Sequence, residues 1–399
     1  SAGTADVARV SLAGLQVEAT DDIAVIDAAA GATALASSAG AVSVENLRAG
    51  SLLALAHTGF SAHGLIADSL EADAGGGVVL GGVATTGTLD VNAGGDILSL
   101  ADGPDRLAAF EAAGPRAARI GLEVDAILGD PIRDQVTAEF AAVPPVSVGA
   151  EALSALIRAG GDARFAASND ISILSEAPAE GGLFNRFAGQ LTLQAGGAAT
   201  IEAAGAVDVA GAVAGDLSLR ANADGAAVAG GAPGIAQHEA LSVGGHADFI
   251  LGAGADPVAA QRGDVSLERA GNAFGTVSVI AGSAALRDAD GFALTASDLS
   301  GRLTLGGGGV AQAGDMSLST TEAAGGAEVL AAGALSLSDL TLGAASTLES
   351  GGDLSASGLD LGAGALTLIA GAGLSADHVT AGTTRATGGT GLSLADSAL

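Results

Sequence analysis

Met316-Ser317-Leu318, Leu335-Ser336-Leu337, Leu354-Ser355-Ala356, Leu374-Ser375-Ala376 and Leu392-Ser393-Leu394 follow one another at steps of 19, 19, 20 and 18 residues. A second set starts at Leu340 (Leu-Thr-Leu), Leu359 (Leu-Asp-Leu) and Val379, and a third runs through Val329, Leu348 and Leu366. Within each triplet the middle residue is polar. Alternation then turns two apolar side chains inward and one Ser, Thr, Asp or Glu outward. Three short strands per repeat at a constant offset describe one coil of a right-handed parallel β-helix, about 19 residues long, and a period of this size marks a solenoid.

The same step is present near the start of the chain. Leu70 and Leu89 lie 19 apart, as do Val78 and Ile97, and Val25 and Val44. Glycines and Gly-Asp or Gly-Gly pairs mark the corners, where positive φ is expected. Between about 101 and 165 the pattern lapses. Five of the eight prolines fall there (Pro104, Pro115, Pro131, Pro144, Pro145), with six of the fifteen arginines. The spacing turns helical over Asp105–Ala113, over Ile132–Ala142 behind an Asp130-Pro131 start, and over Glu151–Ala159 with Leu153, Leu156 and Ile157 on one face. The expected division is coils over 1–100, a partly helical insertion or cap over 101–165, and coils over 166–399 with loops of variable length. Solenoid insertions leave from one face and often bind. About 17 coils at ~4.8 Å per strand would form a rod roughly 80 Å long. The final triplet is followed by five residues, so these residues are expected to be a segment of a longer rod.

Composition narrows the function. The chain has 399 residues with a net charge of −30, from 45 acids against 15 arginines and no Lys. Such a field repels phosphate backbones and excludes nucleic acid as a partner, while it keeps a long solenoid in solution. Cysteine is absent, which removes disulfides, thiolate metal sites and Cys nucleophiles. No apolar run of transmembrane length occurs, and Ser1–Asp6 is not a signal peptide. All nine aromatic residues are Phe.

From Gly271 the chain reads Gly271-Asn272-Ala273-Phe274-Gly275-Thr276-Val277-Ser278-Val279. It continues through Ala285-Leu286-Arg287-Asp288-Ala289 and Leu303-Thr304-Leu305 to Val310-Ala311-Gln312-Ala313-Gly314. Upstream stands Leu241-Ser242-Val243-Gly244-Gly245-His246-Ala247-Asp248-Phe249. The run from roughly 240 to 320 resembles the repeat cassettes of filamentous-haemagglutinin-type, two-partner-secretion exoproteins, with their Asn-x-Phe-x-Gly corners and a Gln before a Gly. The resemblance implies a large secreted adhesin at the bacterial cell surface, exported through an outer-membrane transporter partner. It assigns no catalytic residues.

The site expectations follow. Asp288-Ala289-Asp290-Gly291 resembles the opening of a calcium loop, but neither a third acidic ligand nor a Glu at position twelve follows. Asp288 and Asp290 are therefore corner residues first, and the candidate Ca2+ pair second; no other cofactor is expected. His57 with His63, and His238 with His246, are too few for a zinc site without Cys. Arg116, Arg119 and Arg133 are the candidate binding contacts, as exposed cations on the insertion. No enzyme is expected, because acids are spread one per corner and Trp, Tyr and Lys are missing. The leading expectation is a structural or adhesive rod for cell-surface or cell-cell attachment, with a receptor, a glycan or neighbouring copies as partners. The alternatives are the shaft of a contact-dependent toxin-delivery protein and a polysaccharide-active β-helix enzyme.

Overall fold

A computed structural model of the chain describes residues 3–99, 156–175, 184–226, 233–254, 257–306 and 311–395. The chain forms a parallel β-solenoid of about 17 turns with about 19 residues per coil. It divides into two compact units, Ser1–Gly196 and Gly197–Leu399. The described residues hold no α-helix, only a short 3-10 turn at Ala259–Gln261.

In the second unit the quoted triplets stack as the repeat requires. Met316 pairs with Leu335, Leu335 with Leu354, Leu354 with Leu374, and Leu374 with Leu392, all in parallel. The first four of these are buried, and their central serines form an outward column on the same strands. The second set stacks too, Leu340 on Leu359 on Val379. The third set departs from expectation. Leu348 pairs with Leu368, and Leu366 pairs with Ser346. The coil that ends there is one residue longer, and counting 18 residues from Leu348 lands two positions early on the same face.

Each coil has three short runs because the backbone bends sharply inside what is otherwise one strand. Leu335–Leu342 carries Asp339 at φ 54° between its two triplets. The bend repeats at Ala296, Thr320, Gly358 and His378. In the first unit it falls at Arg9, Asp27, Asn46, Gly64 and Gly82. Asn and Asp tolerate this left-handed conformation better than most residues. The side chains also join adjacent coils: Asn46 Nδ2 donates to Asp27 Oδ1 at 3.1 Å.

The corner glycines serve a second purpose beside the expected positive φ, which Gly291, Gly314 and Gly326 adopt. At Gly76 an added Cβ would sit 1.9 Å from the Thr58 carbonyl oxygen of the preceding coil. Close approach of stacked backbones demands glycine at such a corner, while positive φ is found both at corner glycines such as Gly205, Gly291, Gly314 and Gly326 and at the mid-strand bends. The acids beside these glycines act as clamps. Asp22, Asp162, Asp216, Asp264, Asp315 and Asp353 each accept a backbone N–H from a residue one coil further on, at 2.7–2.9 Å. These six acids thus hold coil to coil, each giving a partner to a corner N–H of the next coil.

In the first unit the coils continue in register across the lapse in the repeat. Val83 pairs with Ile157, Leu89 with Ala163, and Ile97 with Ile171. The chain leaves after Ser99 and rejoins at Leu156 without shifting any row. Solenoid strands resume at Ile157–Ala159 and Ala163–Ala167. The expected boundary at 165 is therefore ten residues too late, and the expected helical face through Leu156 and Ile157 is overturned. Ile157 is wholly buried and stacks on Val83. An apolar-Arg-apolar triplet was legible there, but the adjacent Leu156 and Ile157 also satisfied a helical stripe. The helical readings over 105–113 and 132–142 lie outside the described residues.

Core rows mix small and large side chains. Ala54, Ala72, Val91 and Phe165 follow one another on one row, each 0% exposed. Phe165 meets Phe187 edge to face at 6.1 Å. In the second unit Phe249, Phe274 and Phe292 form a similar series, with centroids 6.1 and 6.3 Å apart. Such edge contacts add about 0.5–1.5 kcal/mol beyond area burial.

Candidate functional site

The densest set of buried polar side chains lies in the second unit, at the corner that carries the Asn-x-Phe-x-Gly run. Asn272 is fully buried, just ahead of the strand Ala273–Ala281. Its Oδ1 accepts from Leu241 N–H at 2.9 Å and from Gln237 Nε2 at 2.7 Å. Its Nδ2 donates to Gln237 Oε1 at 2.8 Å, to Leu267 O at 3.1 Å and to Arg287 O at 3.0 Å. Gln312, also fully buried, closes a reciprocal pair with the Asp288 backbone: Asp288 N–H donates to its Oε1 and its Nε2 donates to Asp288 O, both at 2.8 Å.

Asp288 lies between these two amides and is 3% exposed. Its Oδ1 accepts from Asp290 N–H and Gly291 N–H, both at 2.9 Å, and its Oδ2 accepts from Phe274 N–H. Desolvation by burial raises its pKa above the usual carboxylate value, and the three N–H donors pull it back without cancelling that rise; the charge of Asp290 adds to the rise. The carboxylate lone pairs face the positive ends of amide dipoles, so the geometry favours a backbone-holding role for Asp288 over a Ca2+ ligand. No cluster of three or more His, Cys, Asp or Glu with metal-binding geometry occurs among the described residues.

The sign of the pH effect follows from the raised value. Between its unfolded and folded pKa, Asp288 binds more protons in the folded chain, so its contribution to stability falls as pH rises through that window. Below the unfolded value this cost is absent. Asp288→Asn is expected to gain stability relative to wild type as pH rises through the window, although its amide N–H2 must face one backbone N–H and weakens the fold overall. Urea midpoints of both chains across acid pH check this; a difference that does not change with pH contradicts the assignment.

The other expected residues that the structure describes are dispersed. Arg116, Arg119 and Arg133 lie outside the described residues. His238 pairs with Asp208, His246 Nε2 lies 3.0 Å from Asp248, and His378 Nδ1 lies 2.9 Å from Asp377. Arg164 bonds Asp90, Asn92 and Gln194 on one outer face of the first unit. Arg262 reaches Asp298 at 2.7 Å and holds the 257–262 loop through Pro257 O. A shallow open groove of about 510 Å³ runs along the second unit, lined by Phe292, Asp315, Ser317, Ser336, Asp353 and Ser355 among others. Its acids lie two coils apart, and its serines belong to the outward column. No aromatic platform is exposed in it, Phe292 being buried.

Gln237 was missed in the sequence. Its partner Asn272 is 35 residues away, and no periodicity of 19 connects them. No family model, no curated protein and no solved structure matches the chain.

Proposed function

We propose that this chain is the structural and adhesive part of a secreted or surface-displayed bacterial exoprotein, mediating cell-surface or cell-cell attachment as in a biofilm. The observation that carries this reading is the segment 100–155, set between two coils that keep full register on either side of it. A solenoid that tolerates so long an excursion supplies a rigid base from which a binding segment can be presented. The filamentous-haemagglutinin-like run supports export through an outer-membrane transporter, and the polar residues at its corner hold backbone, consistent with a scaffold role. The strongly negative charge argues against nucleic acid. The partner is a surface receptor, a glycan or a neighbouring copy.

Beads coated with the full chain are expected to attach to cells, to immobilised glycans or to each other. The combined Arg116→Glu, Arg119→Glu and Arg133→Glu chain should attach on the order of tenfold more weakly. If the wild-type beads attach to none of these surfaces, the adhesive reading is wrong. A toxin-delivery shaft would instead be favoured by a toxic domain in the full gene. The enzyme reading would be favoured by cleavage of an acidic polysaccharide.

A further inference from the structure

We propose that the groove of the second unit, from Asp315 to Asp353, binds an uncharged, extended oligosaccharide lying across successive coils. The inference rests on the attachment reading and names its partner class.

The polar groups of the groove repeat with the coils. Met316, Leu335 and Leu354 stack in one inward row. Asp315 and Asp353, each one residue before that row, therefore share one corner two coils apart. Ser317, Ser336 and Ser355, each one residue after it, pair in a single outward row and are exposed. The two acids and three serines all line the groove, whose volume of about 510 Å³ is usual for a small-ligand site. Each acid commits one oxygen to the fold: Asp315 Oδ1 accepts Ala334 N–H at 2.7 Å, and Asp353 Oδ1 accepts Gly373 N–H at 2.8 Å. Among the described residues neither Oδ2 has a hydrogen-bond partner, and neither do the three serine hydroxyls. Outward serines earlier in the unit are spent on neighbours: Ser266 Oγ donates to Glu268 at 3.3 Å, and Ser278 Oγ donates to Asp248. The groove thus holds two acceptors already fixed by the fold and three free hydroxyls, so little ordering is left for a ligand to impose.

The ligand class follows from these groups. Rotating hydroxyls, each both donor and acceptor, beside fixed carboxylate acceptors suit a ligand that is itself a row of hydroxyls. Sugar hydroxyls donating to carboxylate oxygens form charge-assisted hydrogen bonds, stronger than neutral ones. Coils lie ~4.8 Å apart, so the two acids are about 10 Å apart, the span of two rings in an extended β-1,4-linked chain. Ala293, half-buried in the lining, offers an apolar contact to the C–H face of a ring. Without an exposed aromatic platform each ring gains little, so affinity must be gathered over several rings, which favours a chain over a monosaccharide. An acidic polysaccharide is disfavoured, since among the described residues no Arg or His lines the groove and the chain carries a net charge of −30.

Isothermal titration of the full chain with hexamers of β-1,4-linked glucose and of β-1,4-linked N-acetylglucosamine tests this. At least one should bind saturably, more tightly than the α-1,4-linked glucose hexamer or a galacturonate hexamer, and should still bind at high salt. Asp315→Asn combined with Asp353→Asn keeps a carbonyl oxygen for each backbone N–H but replaces the free acceptor by a donor, and should weaken binding on the order of tenfold. Ser336→Ala, which leaves both acids in place, should weaken it about threefold. Asp162→Asn changes the same kind of backbone clamp in the first unit, away from the groove, and should bind as wild type does. No heat with either β-linked hexamer overturns the proposal. So does unchanged affinity in the Asp315→Asn, Asp353→Asn chain, equal affinity for the galacturonate hexamer, or binding that high salt abolishes. Beads that attach while the hexamers fail to bind overturn the groove alone; hexamer binding by a chain whose beads attach to nothing overturns the attachment reading alone.

Discussion

Leu337→Asp is expected to destabilise the coils around it by roughly 4 kcal/mol or more. Leu337 is 2% exposed and stacks between Leu318 and Ala356 in an inward row. Replacing it removes an aliphatic side chain from a buried apolar row and places a carboxyl among aliphatic neighbours. The carboxyl must either stay protonated or draw water between coils. Ser336→Asp is the control. It puts the same group one residue away on the exposed side of the strand and should change stability by less than about 0.5 kcal/mol. Because coils contact mainly their neighbours, the damage is local. Hydrogen exchange should show lost protection over Met316–Ala323, Leu335–Leu342 and Leu354–Asp360, with strands several coils away little changed. Equal protection in the two variants would mean that the inward row has been misplaced.

Asn272→Ala should cost on the order of 3 kcal/mol, more than the removal of any exposed ion pair in this chain. The amide satisfies one backbone N–H and two backbone carbonyls that lie on separate coils, and it pairs reciprocally with Gln237. Truncation leaves Leu241 N–H, Leu267 O and Arg287 O without this partner in a place where Asn272 itself is fully buried. Each orphaned group costs about 1–3 kcal/mol unless water enters. Asn272→Asp keeps the shape but turns an acceptor toward two carbonyls, so it should not rescue. Arg302→Ala, which removes an exposed pair with Glu328 at 3.1 Å, serves as the comparison and should cost under about 1 kcal/mol. Urea unfolding followed by exchange of the Leu241 amide measures both. An Asn272→Ala chain as stable as the Arg302→Ala chain would show that the corner is wet in solution.

The apolar triplets made the coil readable because strand alternation and coil length are both periodic in sequence. Leu335, Leu354 and Leu374 needed no partner outside their own repeat to declare a common row. The corner that resembles haemagglutinin cassettes was legible as a motif, through Asn272, Phe274 and Gln312. Its mechanism was not, because amides and carbonyls on different coils meet only after stacking. Asp288 shows the difference well. As text it could open a calcium loop; in place, its oxygens are taken by the N–H groups of Phe274, Asp290 and Gly291.

Local chemistry along the chain was enough to dictate a parallel solenoid, the direction in which the Leu, Val and Ser of the repeated triplets face and the corners at which glycine is required, since all of these depend on a residue and its neighbours within about one coil. Stacking alone settled the rest: where coils resume at Leu156, and which acids clamp the next coil. Those outcomes depend on groups dozens of residues apart reaching hydrogen-bond or van der Waals distance, and no local pattern encodes that separation.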